Sequence, residues 1–527
     1  MTNWGSILSP PSSPPLSSKP YQPPHPSGAP SRAHWVELSM RAARLGLPPP
    51  PPLDPAAPAP PSPPPPPPPT LLSSLPGLLF PGLGLLCESY ILFSLGLTSL
   101  VWRAMDPACY VLFTTCSEPQ VRRAAAFTTL GLMAGMLLFG ALASFLPFRR
   151  RPLVRTLAIV TVALMYVSSL TIVQTPGETS GQRADFVAAC LLVFGLAVGG
   201  EYPVVSSIAA EKKRGGAFDR KTQVAACIVM QAVGVLLNAL VIAAVYKALV
   251  GSAGEVTASY DTLDRTWRLT YFKGVLGLGM LLMMRFWKYL GEIKEEGWDR
   301  PLSDLRRVTT EDDDEIYVSS WDGGSSCSGS VSSESSRTRR LLYKFGSDDM
   351  RTLASTSLSW FFWDFVFYGN KLMQARFIDV ISSSTATLAD KLNIAIVNSL
   401  VALGGTVFGI TLIHKEVATL AHLQTYGFIS VAAIYAALFL IPQNDWLFRY
   451  GYYLAGGLGQ VVNVMTFTVP AVSFRREIKP LACGASACAG KLGALVGTMV
   501  IGMVDVEGAF LLCAVSCALG AVATWIM

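Results

Sequence analysis

Trp360, Asp364 and Tyr368 stand four residues apart in a mostly apolar stretch. At i, i+4 and i+8 they share one face of a helix. That face offers an indole N–H donor, a carboxylate and a phenol. Apolar packing accounts for the tryptophan and the tyrosine, but not for the aspartate between them. An ionised side chain at the centre of a bilayer costs at least about 2.5–3.5 kcal/mol on insertion scales, so a carboxylate there marks a functional site by default. Such groups suit the binding of a polar ligand better than group transfer.

Other polar residues lie in apolar runs in the same way. Glu88, Glu201 and Lys491 are ionisable, Gln231, Asn238 and Asn463 are amides, and Tyr90 and Tyr202 are amphipathic rings. Glu201-Tyr202-Pro203 follows Gly195 and Gly199-Gly200. Glycines at i and i+4 suit close approach of two membrane helices. Lys491 sits in Gly490-Lys491-Leu492-Gly493, where it either snorkels to the interface or faces inward. Ten cysteines and four histidines show no metal spacing, and no nucleophile elbow, P-loop or metal motif is present. Neither an enzyme nor a cofactor or metal is expected. Cys109 and Cys116 share a short loop and are placed to pair if that loop is extracytoplasmic.

The elements that position these residues follow from composition. The 527 residues are 51% hydrophobic and 14% charged, with a mean hydropathy of +0.43. A soluble domain carries nearer ~25% charged residues. Uncharged apolar runs such as 157–173 and 224–245 approach the ~20 residues that cross a bilayer as helix. Twelve spans are expected, at 79–104, 124–146, 153–174, 186–209, 222–247, 268–290, 355–381, 391–413, 419–441, 447–472, 480–504 and 507–527. With the amino terminus inside, cytoplasmic loops hold Arg149, Arg150, Arg151 and Arg155, then Lys212, Lys213 and Arg214, then Arg475, Arg476 and Lys479. The opposite loops hold Glu178, Asp185, Glu255, Asp261, Asp505 and Glu507, a positive-inside bias that supports an even number of spans. The net charge of +6 is spread in short clusters between apolar runs, which does not suit nucleic acid.

Two segments stand apart. Residues 1–70 are rich in Pro and Ser and are read as a solvated, disordered cytoplasmic tail. A ligand for proline-binding modules and a targeting segment are its functional alternatives. Residues 291–350 carry an acidic run at 311–315 and a Ser-rich stretch at 325–336, and are read as a cytoplasmic linker. The linker splits the spans into a six-helix bundle at 71–290 and another at 351–527. Tyr202-Pro203-Val204-Val205-Ser206 echoes Val469-Pro470-Ala471-Val472-Ser473 across that division. A parallel repeat with a central linker is the plan of the major facilitator fold, which binds substrate near the midplane between its halves. The expected fold class is therefore all-α transmembrane, twelve helices as two six-helix bundles.

Three blocks resemble the phosphate:proton symporter family of the major facilitator superfamily. Gly199-Gly200-Glu201-Tyr202-Pro203, with Met230-Gln231 downstream, is similar to that family's Gly-Gly-Asp-Tyr-Pro and Met-Gln. Trp360-Phe361-Phe362-Trp363-Asp364, followed by Phe367-Tyr368-Gly369, resembles its Trp-Phe-x-x-Asp-x-x-Phe-Tyr-Gly. Asn463, Pro470 and Gly490-Lys491-Leu492-Gly493-Ala494 match its Asn, Pro and Gly-Lys-Leu-Gly-Ala positions. The resemblance covers most of the chain after residue 80.

It implies a carrier of inorganic phosphate coupled to protons, in a lipid bilayer. The plasma membrane is the expected location and an organelle membrane the alternative. It implies a phosphate site lined by Tyr202, Gln231, Trp360, Asp364, Tyr368 and Asn463, with Lys491 as compensating charge and Glu88, Glu201 and Asp364 on the proton route. The departures fall on that route. The family's first-span Asp-x-Tyr-Asp is Glu88-Ser89-Tyr90-Ile91 here, and no acid lies between Leu146 and Glu178. The superfamily's cytoplasmic Gly-x-x-x-Asp-Arg-x-Gly-Arg-Arg loop is degraded, and Lys371 is an added cation. A carrier of glycerophosphodiesters or another organic anion, and a non-transporting phosphate sensor or scaffold, remain open alternatives. The oligomeric state is not specified by these features.

Overall fold

Unbroken apolar runs favour helices in a bilayer, because a helix satisfies its own backbone polar groups. A computed structural model describes residues 82–145, 150–176, 179–211, 220–251, 258–296, 346–383, 385–441, 446–475 and 478–526. The expected tail at 1–70 and most of the linker at 291–350 lie outside the described residues, as do Arg149, Glu178, Lys212, Lys213, Arg214, Glu255 and Arg476.

Among the described residues there are fourteen helices and no strand. The first part of the chain forms α1 (Leu83–Met105), α2 (Pro107–Tyr110), α3 (Glu118–Phe145), α4 (Arg150–Val173), α5 (Ser180–Glu211), α6 (Arg220–Val250) and α7 (Tyr260–Glu296). The rest forms α8 (Ser347–Leu372), α9 (Gln374–Ile381), α10 (Leu388–His414), α11 (Leu420–Leu440), α12 (Trp446–Ser473), α13 (Lys479–Met503) and α14 (Val506–Trp525). Eleven are long and apolar enough to cross a membrane. The twelfth long helix, α8, is less apolar, with Ser, Thr, Trp and Tyr as well as Asp364 along its middle. The chain is thus a multi-pass membrane protein. The expected span at 355–381 is in fact two helices, α8 and α9, parted at Met373.

Glycines set the close packing. In α3, a Cβ on Gly131 or Gly135 would run into backbone carbonyls of α5; Gly195 and Gly199 of α5 face the carbonyls of Thr128 and Leu132 in return. The i, i+4 glycines thus serve the close approach expected of them. In α13, Gly493 and Gly497 lie against the carbonyls of Phe361 and Phe365 in α8.

In the first six long helices, α1 packs on α6 and α7, α3 on α5, and α4 on α5 and α7. In the last six, α8 packs on α13 and α14, α10 on α12, and α11 on α12 and α14. The two sets meet chiefly where α6 lies on α10 and α3 lies on α13. Pro203 and Pro470, the prolines of the internal echo, both lie inside helices, α5 and α12. Cys109 and Cys116 form a disulfide in the connection between α1 and α3. A disulfide there suits an extracytoplasmic loop, in line with the charge bias.

Candidate functional site

Helix α8 presents Trp360, Asp364 and Tyr368 to the interior, all three buried. The Gly493 and Gly497 contacts press α13 onto that helix and bring Lys491 to the stripe. The Lys491 ammonium donates to Asp364 Oδ2 at 2.8 Å and to Tyr368 Oη at 2.9 Å. It also stands 4.1 Å from the centre of the Tyr368 ring. Both members of the Lys491–Asp364 pair are 3% exposed, so Lys491 faces inward rather than snorkelling. Trp360 also reaches Asp364, and its ring occupies the space a side chain at Gly490 would need.

Beside this pair, two amides meet across the two sets of helices. Asn463 Nδ2 of α12 donates to Gln231 Oε1 of α6 at 3.1 Å and to Gln460 Oε1 at 3.1 Å. The Trp363 indole donates to Asn463 Oδ1 at 3.2 Å, which fixes the amide's orientation. Ser89 Oγ of α1 donates to the Gln231 carbonyl at 3.0 Å, tying α6 to α1. Trp363 and Gln460 are functional candidates that the sequence reading missed. The i, i+4, i+8 rule selects one stripe of α8 and passes over i+3, although Trp363 approaches Asn463 from there.

The third cluster lies in the first set. Glu201 is fully buried in α5 and clasped by Arg285 of α7. Arg285 Nη1 donates to Glu201 Oε2 at 2.8 Å, and Nη2 donates to Oε1. Thr161 Oγ1 of α4 adds a bond to Oε2 at 3.2 Å, and Arg285 Nη1 also reaches the Ala158 carbonyl at 2.8 Å. Gly84 of α1 leaves room for the pair. Arg285 was also missed, though it lies inside the expected span 268–290 and the argument that singled out Glu201 applies equally to it.

Glu88 is fully buried in α1, within electrostatic reach of both Arg285 and Tyr368. Two expected candidates do other work. Asn238 donates to Ser94 Oγ between α6 and α1, and Tyr90 donates to the Thr270 carbonyl of α7 at 2.9 Å. Tyr202 lies in α5, with its side chain outside the described residues. Lys371 is buried one turn past Tyr368, and its Nζ has no hydrogen-bond partner among the described residues. The carboxylates of Glu201 and Asp364 are thus matched by Arg285 and Lys491. No cluster suited to a metal ion occurs among the described residues.

No protein-family model matches the chain. The chain is 26% identical to inorganic phosphate transporter 1-1 of Oryza sativa subsp. japonica, over 79% of this chain and 81% of the relative. It is also 26% identical to inorganic phosphate transporter 1-4 of Arabidopsis thaliana, over 80% of this chain and 81% of the relative. Low affinity inorganic phosphate transporter 1 of Petunia hybrida is 26% identical over 81% and 82%. Among solved structures, a D-xylose–proton symporter superposes with a TM-score of 0.57 at 18% identity, covering 86% of this chain and 98% of that one. The major facilitator superfamily transporter FucP, in the outward conformation, gives 0.53 at 12%, covering 84% and 97%. The chain has the major facilitator fold, and the proteins it resembles in sequence are named as transporters rather than enzymes. The likeness to phosphate transporters read from the residues is thus found by comparison as well.

Proposed function

We propose that the chain carries inorganic phosphate across a membrane by alternating access, with the anion held between its two sets of helices. The observation that carries this reading is the juxtaposition of a buried lysine–aspartate–tyrosine cluster with an amide pair that crosses between the sets. Lys491, Trp360, Tyr368, Gln231 and Asn463 supply N–H and O–H donors to phosphate oxygens, and exclusion of water strengthens such charge-assisted bonds. The relatives named inorganic phosphate transporters support the choice of anion.

Proton coupling follows from the sharing of Lys491. An anion that draws the ammonium toward itself leaves Asp364 beside negative charge, where a carboxyl favours its proton. Anion and proton then load together. Glu88, within electrostatic reach of both clusters, is the second acid of the route. Glu201 keeps both oxygens on Arg285, and in this reading it acts as a fixed counter-charge. The plasma membrane is the proposed location.

Uptake of labelled phosphate into proteoliposomes tests the proposal. Uptake should rise with an inward proton gradient, and Asp364→Asn should lose the gradient-driven part by at least about tenfold, the scale of one lost charge-assisted bond. Failure to take up phosphate, with uptake of a glycerophosphodiester instead, would overturn the choice of substrate. Gradient-driven uptake at the wild-type rate by the variant would overturn the role of Asp364.

A further inference from the structure

A cavity with largely apolar walls and several charged groups lies outside the central cluster, at the end of the molecule that carries the disulfide loop. It measures about 380 Å³. Helices α1, α3 and α5 line one side, and the α8–α9 break and the end of α13 line the other. Arg103, Arg122 and Arg376 all border it, with Glu118 and Asp505.

Two of the arginines converge on one helix end. Arg122 and Arg376 both donate to the single carbonyl of Gly502, at the carboxyl end of α13. Arg376 also reaches the carbonyls of Ile501 at 3.0 Å and Val504, and has no carboxylate within ion-pair distance among the described residues. Three acids stand nearby. Glu118 pairs with Arg122, Asp379 with Arg103 and Lys391, and Asp505 caps α14 by accepting from Gly508 N at 2.9 Å. The bland alternative is that two arginines cap one helix end. A helix carboxyl end offers only about half an elementary charge. Of the charged groups that line the cavity, Arg103, Arg122 and Arg376 outnumber Glu118 and Asp505 by one, and the helix end offsets about half of that charge. Lys371, whose ammonium has no hydrogen-bond partner among the described residues, lies between this cavity and Tyr368, about 4.5 Å of helix rise past that tyrosine.

We propose that this cavity is a second oxyanion site, an outer antechamber in which Arg122 and Arg376 hold inorganic phosphate before it passes Lys371 to Tyr368 and Lys491. The proposal rests on the phosphate reading above, and its ligand is the same tetrahedral anion.

Met503 lines the cavity and is 68% exposed, so Met503→Cys makes a reporter for a membrane-impermeant maleimide. Labelling is measured as the difference from wild type. Inorganic phosphate at about ten times its dissociation constant should slow that labelling about tenfold, by simple occupancy. Protection should persist in an added Asp364→Asn background and be lost with Arg376→Gln. Glu118→Gln, which frees Arg122, should give protection at lower phosphate, and it decides the matter if the Arg376 variant does not fold. Labelling indifferent to phosphate overturns the antechamber. So does protection that survives Arg376→Gln, or protection that Glu118→Gln leaves unchanged or weakens. Uptake by the same vesicles separates the two ideas: wild-type uptake without protection sinks the antechamber alone, and protection without uptake sinks the carrier reading while keeping the site.

Discussion

Asp364 and Lys491 neutralise each other where neither could stand alone. Removing one partner of a buried pair costs about 3–5 kcal/mol, because the other charge is left uncompensated, whereas replacing both is far milder. Lys491→Met is therefore expected to lower thermal stability more than the Asp364→Asn/Lys491→Met double variant does. A melting experiment on purified protein checks the order, and a double variant no more stable than the single would refute it. The same logic predicts that Glu201→Gln partly rescues the stability lost in Arg285→Gln. The two pairs differ in how far they were legible. Asp364 advertised itself by spacing and by its cost in a bilayer, and Lys491 by its glycines. The Asp364–Lys491 pairing was not readable, because 127 residues separate the partners. Trp363 escaped for a related reason: it acts on a partner from another helix, and periodicity within one helix does not reveal that partner, whereas Arg285 was legible by the same bilayer cost that marked Glu201.

At the level of the helix, glycine decides which surfaces can touch. A Cβ on Gly493 would collide with the Phe361 carbonyl, whereas one on Gly404 meets nothing within 4 Å. Gly493→Ala should push α13 off α8, separate Lys491 from Asp364 and abolish uptake, while Gly404→Ala should transport as wild type does. Equal uptake by the two variants would refute the contact. The helices themselves were largely legible, since apolar runs near 20 residues admit little else in a bilayer. The break at Met373 was not, because no proline or glycine stands at it, although Asn370, Lys371, Gln374 and Arg376 interrupt the apolar run there. That break places Arg376 on a short separate helix at the mouth of the outer cavity.

On the scale of the whole molecule, the orientation in the membrane makes a further prediction. The Cys109–Cys116 bridge closes a loop of sequence separation 7, worth about 2 kcal/mol in the chain-entropy picture. Intact cells treated with an impermeant thiol reagent should label these two cysteines only after external reduction. Labelling that requires permeabilised cells would invert the assigned topology. The six-plus-six plan was visible in the charge bias and the central linker, yet the seams between the sets were not. Only the folded chain brings α6 to α10 and α3 to α13, and with them Gln231 to Asn463. That last contact has a consequence for a carrier. With no cargo aboard, the two amides keep each other occupied, so an arriving anion exchanges one satisfied bond for another instead of filling a vacancy. The gain from these two amides on loading is then small. Weak holding is an advantage for a protein that must also let go, and it favours turnover over retention.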